Sequence, residues 1–218
     1  GTCILSTRSS RLAPNNFAWG AYPSNHAYFH MGGTSMATPL VAGCLALIRQ
    51  HLRAAWNNAS PSAALLKAVL IAGAERLPGQ ASPGVQLDNA QGFGRVELER
   101  SLRRLKIAAE GAGLQTGQSV ARSLILTGAA RTLRIVLAYS DYPGGTLINN
   151  LNLIVTGPDG RRWTGNQRNG VKALVLDGRN NVEVVHVGKA KAGSWTIEVV
   201  ASNVTQGPQD YALVVVQV

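Results

Sequence analysis

Gly32-Gly33-Thr34-Ser35-Met36-Ala37-Thr38-Pro39-Leu40-Val41-Ala42-Gly43 is the stretch on which the rest of the chain turns. Two glycines lead into a hydroxyl pair, and an apolar run of helical length, Leu40 to Leu52, follows. Gly32 and Gly33 permit backbone angles closed to other residues and let a second polypeptide approach closely. Thr34 and Ser35 suit a helix N-terminus, where unpaired N–H groups and the positive end of the helix dipole gather. A nucleophile delivered there has a backbone N–H beside it to hold an oxyanion. The pattern predicts a tight turn that presents Ser35 at the start of a helix, mostly buried until Arg49, Gln50 and His51. Pro39 lies close enough to that start to cost only the amide it lacks. The same Gly-Thr-Ser also suits a capping serine before a core helix.

Outward from this stretch, 218 residues are enough for one large domain or two small ones. Apolar residues make up 45% of the sequence, which supports a real core and excludes wholesale disorder. No apolar run is long enough to span a bilayer, and no signal peptide stands at Gly1; the sequence reads as beginning inside an open reading frame. The net charge of +10 invites a nucleic-acid reading, yet the 21 basic residues are dispersed without a block of like charge. With no recognition-helix pattern, zinc-ligand spacing or aromatic RNA-binding motif, nucleic acid is not the expected partner. Cys3 and Cys44 are too few for a disulfide scaffold and are expected to be free thiols.

Upstream, Thr2 to Thr7 reads as a short strand, and Arg11 to Tyr28 as an ordered loop whose Trp19, Tyr22 and Tyr28 suit either the flanks of a cleft or hydrophobic staples under the loop. His26 and His30 fall just before Ser35, but an approach segment so short seldom folds back onto its own serine. Downstream, a second helix is expected with Ser60 as N-cap, Pro61 at its first position and Gly73 near its end. Its Leu65, Leu66, Val69 and Leu70 should pack on the Ser35 helix. From about Leu105 the period changes from 3.6 to 2. Leu133, Ile135, Leu137 and Tyr139 alternate with Thr132, Arg134 and Ala138, and Leu151, Leu153 and Val155 repeat the pattern. Further strands read as Ser119–Leu126, Val182–Val187, Ser194–Val200 and Tyr211–Val216, and Gly157-Pro158-Asp159-Gly160 is a turn. Short strands without intervening helices indicate an antiparallel sandwich or jelly roll over 106–218, expected to fold by itself.

Gly33, Thr34, Ser35, Ala37 and Pro39 all match the pattern G-T-S-x-[AS]-x-P, and the stretch resembles the serine segment of the subtilases, the subtilisin-like serine peptidases. The resemblance implies that Ser35 is the nucleophile that forms the acyl-enzyme, with Gly33, Thr34 and Ser35 shaping the oxyanion turn. Gln91-Gly92-Phe93-Gly94-Arg95-Val96-Glu97-Leu98 is similar to the G-[WF]-G-x-V segment that closes subtilase catalytic domains. Leu137-Ala138-Tyr139-Ser140-Asp141, Leu147 to Leu153 and Asp177 to Glu183 resemble the C-terminal jelly-roll domain of certain alkaline subtilases. The implied fold is the C-terminal part of a parallel-sheet α/β domain over 1–105, followed by the all-β sandwich over 106–218.

The resemblance further implies a polypeptide substrate, a secreted or extracellular protein, and calcium as a structural ion. Asp141, Asp177, Asn181 and Glu183 are the candidate ligands, since calcium takes six to eight oxygens, several of them charged. Where the family tends to carry aspartates in N-D-L-D-L, this sequence has Asn150 and Asn152, so ordinary turn-forming acids are the alternative.

A subtilase triad runs Asp, His, Ser in sequence order. The residues before Ser35 contain no aspartate or glutamate, and the Asp-Thr-Gly and His-Gly-Thr motifs and the oxyanion asparagine are absent. The chain is therefore expected to be a truncated peptidase, inactive alone, that lacks the N-terminal half of its catalytic domain. Two other readings compete: a non-catalytic binding module with a remnant serine motif, and an α/β-hydrolase. The second needs Gly-x-Ser-x-Gly, and Gly33-Thr34-Ser35-Met36-Ala37 lacks the final glycine.

Overall fold

A computed structural model describes residues 1–78, 90–128, 130–167 and 173–217. Its contacts divide into two compact units, Gly1–Leu47 and Ile48–Val218. The expected division near 106 marks where the period changes; the contacts divide much earlier.

In the first unit, β1 (Ile4–Thr7), β2 (Gly20–Ala21) and β3 (Tyr28–Met31) form a small antiparallel sheet in the order β1-β3-β2. No parallel pair occurs among the described strands. The loop between β1 and β2 is held by Arg8, whose guanidinium donates to the carbonyls of Asn16, Leu12 and Ala13 and lies 4.9 Å from the Phe17 ring centre.

Helix α1 (Thr34–Ala55) begins earlier than the apolar run, so Pro39 sits in its second turn. The bond it forgoes is the one to the carbonyl of Ser35. Against expectation, only Ile48 and Leu52 of α1 are buried, while Leu40 and Leu47 each remain 49% exposed. Apolar periodicity records a face suited to packing, and on this stretch that face is open. No described helix is long and apolar enough to cross a membrane.

The second unit is a sandwich of two four-stranded antiparallel sheets. One has the order β4 (Leu105–Leu114), β11 (Gln209–Gln217), β6 (Ala130–Ala138), β9 (Val182–Ala190). The other runs β5 (Ser119–Leu126), β10 (Gly193–Val204), β7 (Asn149–Thr156), β8 (Arg162–Thr164). Leu133, Ile135 and Leu137 meet Leu151, Leu153, Val155, Trp195, Ile197 and Leu213 in one core, as the period of two requires.

The opposite face of the first sheet is covered as well. Helix α2 (Ala63–Gly73) packs on β11 and β6 and against α3 (Leu98–Arg103), burying Leu65, Ala68, Val69 and Ala72. This corrects the expectation that Leu65 and Val69 pack on the Ser35 helix. It also explains why Val136, Ala138, Val214 and Val216, on the face of the sheet away from the sandwich core, are buried.

The N-cap is Ser62, not Ser60: its hydroxyl accepts the Leu65 N–H at 3.1 Å. The start is fixed from a distance by Glu110 on β4, whose carboxylate accepts the Ser62 N–H at 2.9 Å and the Asn58 side-chain amide at 2.6 Å. Burial alone would raise the Glu110 pKa, but these hydrogen bonds outweigh it and hold the carboxyl below its usual range. Beyond α2, the closing segment pairs back on the helix end through reciprocal backbone bonds between Glu75 and Arg95 of 2.8 and 2.7 Å.

Candidate functional site

Gly33 carries a positive φ of 143°, which turns the backbone from β3 into α1 at an angle L side chains avoid. Its N–H donates to the Gly1 carbonyl at 2.8 Å, and its carbonyl accepts the Gly1 ammonium at 3.0 Å. That carbonyl also accepts the N–H groups of Met36 and Ala37, each at 3.2 Å, closing the first helical turn. Thr34 and Ser35 precede these donors, in the part of the helix whose N–H groups have no helical acceptor. Gly33, Thr34 and Ser35 thus form one exposed turn. Nothing among the described residues hydrogen-bonds the Ser35 hydroxyl. Gly32 answers to packing: the Trp19 ring lies where a side chain would begin, 2.1 Å from a Cβ built there.

The two nearby histidines are engaged elsewhere. His26 makes an edge contact with Phe17 at 5.3 Å, and the His30 ring lies 6.5 Å from that of Tyr22. No acid precedes Glu75 in the sequence, and among the described residues no histidine or carboxylate hydrogen-bonds the Ser35 hydroxyl. Cys3 is exposed, Cys44 is half-buried, and both are free thiols.

The four candidate calcium ligands serve the sandwich as hydrogen-bond acceptors and donors. Asp141 takes the N–H groups of Ile148 and Asn149 at 2.7 and 2.9 Å. Asp177 takes the side-chain amides of Asn166 and Asn180 at 2.6 and 2.7 Å and the Arg179 N–H at 2.8 Å. Asn181 donates to the Tyr139 carbonyl at 3.0 Å. Glu183 is fully buried; one oxygen accepts the Leu153 N–H at 2.7 Å and the other has no partner. Burial, with the nearby Asp177 charge, pushes its carboxyl up to about 9, although the Leu153 bond acts the other way. Among the described residues no three His, Cys, Asp or Glu side chains gather as a metal site.

Residues 12–94 match the model of the Subtilase family. The match takes in the loop before β2, the Ser35 turn, α1, α2 and the closing segment to Gly94. Over this stretch the chain is similar to the subtilases. Across 99% of its length the chain is 27% identical to the serine protease/ABC transporter B family protein tagA of Dictyostelium discoideum. Across 98% it is 25% identical to tagD of the same organism. It spans only 14% and 16% of those two relatives. Among solved structures it resembles the Aeromonas sobria serine protease in complex with its chaperone, at 15% identity. That alignment covers 88% of this protein and 45% of the other with a TM-score of 0.28, too low to argue from.

The subtilase-like segment runs past the division at Leu47, so α2 belongs to it by sequence and to the sandwich by packing. The structure brings Gly33, Thr34 and Ser35 together. It distributes Asp141, Asp177, Asn181 and Glu183 over separate hydrogen bonds. Two residues with decisive roles carried no signal in the sequence. One is Glu110, described above. The other is Arg134, a buried guanidinium on β6 that donates to the carbonyls of Ala74, at the end of α2, and of Phe93 in the closing segment.

Proposed function

We propose that the chain is part of a subtilisin-type serine endopeptidase in which Ser35 is the acyl-enzyme nucleophile and a polypeptide is the substrate. The observation that carries this reading is the free, exposed Ser35 hydroxyl at the first turn of α1, within the segment that matches the subtilases. A serine hydroxyl is a weak nucleophile without a base. The histidine, its aspartate and the oxyanion asparagine would therefore come from sequence outside these 218 residues, along with a parallel sheet against the open face of α1. On this reading the 218-residue protein hydrolyses nothing by itself. A fluorophosphonate probe should label Ser35 in the full-length protein, and Ser35→Ala should abolish labelling and peptide hydrolysis. Hydrolysis that persists in the alanine variant would remove the assignment, and a full-length protein that never labels would favour a binding module.

Two further readings belong to the same proposal. Secretion follows from the kinship alone. Calcium, if taken up in the sandwich, would use the partnerless oxygen of Glu183 with Asp177, Asp141 and Asn181 rearranged around it. The thermal midpoint of the protein should then rise with added calcium by mass action. A flat response would leave the four residues as hydrogen-bonding elements only.

A further inference from the structure

At one end of the sandwich, the β7–β8 and β9–β10 turns enclose a cleft of about 70 Å³. The first turn is the Gly157-Pro158-Asp159-Gly160 sequence, closed by the Gly157 N–H on the Arg161 carbonyl at 2.8 Å. The floor is a pair of stacked indoles, Trp163 and Trp195, with ring centres 5.6 Å apart and planes 27° from parallel. Trp195 is fully buried, and its indole N–H donates to the Lys191 carbonyl at 3.0 Å, which ties the floor to the second turn.

The walls are cationic. Arg161 lays its guanidinium 5.0 Å from the centre of the Trp163 ring, a cation–π contact that fixes the plane of its donors. Lys189 holds a left-handed backbone, φ 55°, which a non-glycine residue adopts at a cost. Lys191 pairs with Asp159 at 2.8 Å. Among the described residues no acid pairs with Arg161 or Lys189, so two exposed cations face a small cleft over an aromatic floor. Its small size, aromatic floor and cationic walls suit a small planar anion.

We infer that this cleft binds a carboxylate presented by a polypeptide, either from an Asp or Glu residue or from a free C-terminus. Guanidinium and carboxylate match as planar forks, and stacking on Trp163 leaves the donor edge of Arg161 pre-set for such a partner. Lys189 supplies a second charge, and the methylene stem of the ligand rests on the indole. Nucleic acid fits less well, since it needs a stripe of cations along a backbone, and here the cations line one pocket; the carboxylate of Asp159 at its edge is already paired with Lys191. The site lies in the sandwich and does not depend on the chemistry of Ser35.

The test uses the 218-residue protein with tryptophan fluorescence as the readout. Three short peptides are titrated: one with a single glutamate and both ends capped, one neutral with a free C-terminus, and one neutral with both ends capped. Binding of either or both of the first two, with none of the third, supports the proposal and identifies the source of the carboxylate. Arg161→Gln should weaken that binding by about tenfold or more, the loss of one charge-assisted hydrogen bond. Lys189→Gln should weaken it less, and both effects should shrink as salt is raised. Both side chains are exposed, so the folded state, checked by thermal midpoint, should be unchanged. Equal binding of the fully capped neutral peptide would overturn the proposal. So would indifference to both substitutions, or no binding of any of the three peptides at concentrations on the order of 1 mM.

Discussion

Replacing Arg134 tests how the helical layer is fastened to the sandwich. Its guanidinium is 7% exposed and donates to the carbonyls of Ala74 and Phe93, the second at 3.1 Å, while its Nε has no partner. Burial, then the charges of Arg100 and Arg76, draw its pKa down to about 10, a penalty on the charged form of about 3 kcal/mol. Two hydrogen bonds from a charged donor return about 3 to 6 kcal/mol. The position is therefore between neutral and modestly stabilising as it stands. Truncation is a different matter, because it strands two carbonyls and leaves a void. Arg134→Ala should cost about 2 to 4 kcal/mol, from two stranded carbonyls at about 1 to 3 kcal/mol each and the void, less the relieved burial of the charge. Arg134→Met, which keeps the stem and sheds the buried charge, should cost about 1 to 2 kcal/mol. Urea unfolding gives the ranking, and amide exchange gives the place: protection should fall first in α2 and around Phe93. Two variants within about 0.5 kcal/mol of the parent, or exchange that accelerates everywhere equally, would refute the fastening role.

Glu183 should set the pH dependence of the sandwich. Its folded-state carboxyl titrates near 9 because it is buried, so the fold binds a proton that the unfolded state releases near 4.5. Stability from this group is greatest below the unfolded value, falls as pH rises through that window, and is lower by about 3 kcal/mol at pH 7. Glu183→Gln should flatten that slope and raise the urea midpoint at pH 7; an unchanged slope would exclude Glu183 as its source. Glu110→Ala should cost about 1 kcal/mol by freeing the entry to α2, lowering Tm by about 2 to 4 °C. Because this carboxyl is held below its usual range, its contribution is present at neutral pH and lost as acid protonates it, so parent and variant should converge at low pH.

The serine turn was legible because its signals are local: a glycine at positive φ, hydroxyl residues after it and an apolar run. The sandwich was legible because Leu133, Ile135, Leu137, Leu151, Leu153 and Val155 declare a buried face by alternation. The failures are all non-local. Ser62 rather than Ser60 caps α2 because a carboxylate 48 residues away holds the Ser62 N–H. Arg134 and Ala138, on the face opposite Leu133, Ile135 and Leu137, are buried too, since alternation cannot reveal a helix lying on the second face. Leu40 and Leu47 show the reverse error, an apolar periodicity without cover. Trp163 and Trp195 sit in different hairpins and meet only when β7–β8 and β10 share a sheet. No pattern in the sequence pairs them.

The seating of α2 on β6 and β11 bears on how such proteins exchange parts. A crossover at the change of period, near residue 105, would transplant a sandwich with Val136, Val214 and Val216 bared to water and Arg134 without its acceptors. A crossover ahead of Asn58 would carry α2, the closing segment and the Glu110 latch along with the strands. The unit that keeps its contacts intact when moved is thus the sandwich together with the residues from Asn58 onward. Lineages that trade this module should break upstream of Asn58 and keep Glu110 and Arg134 together with α2.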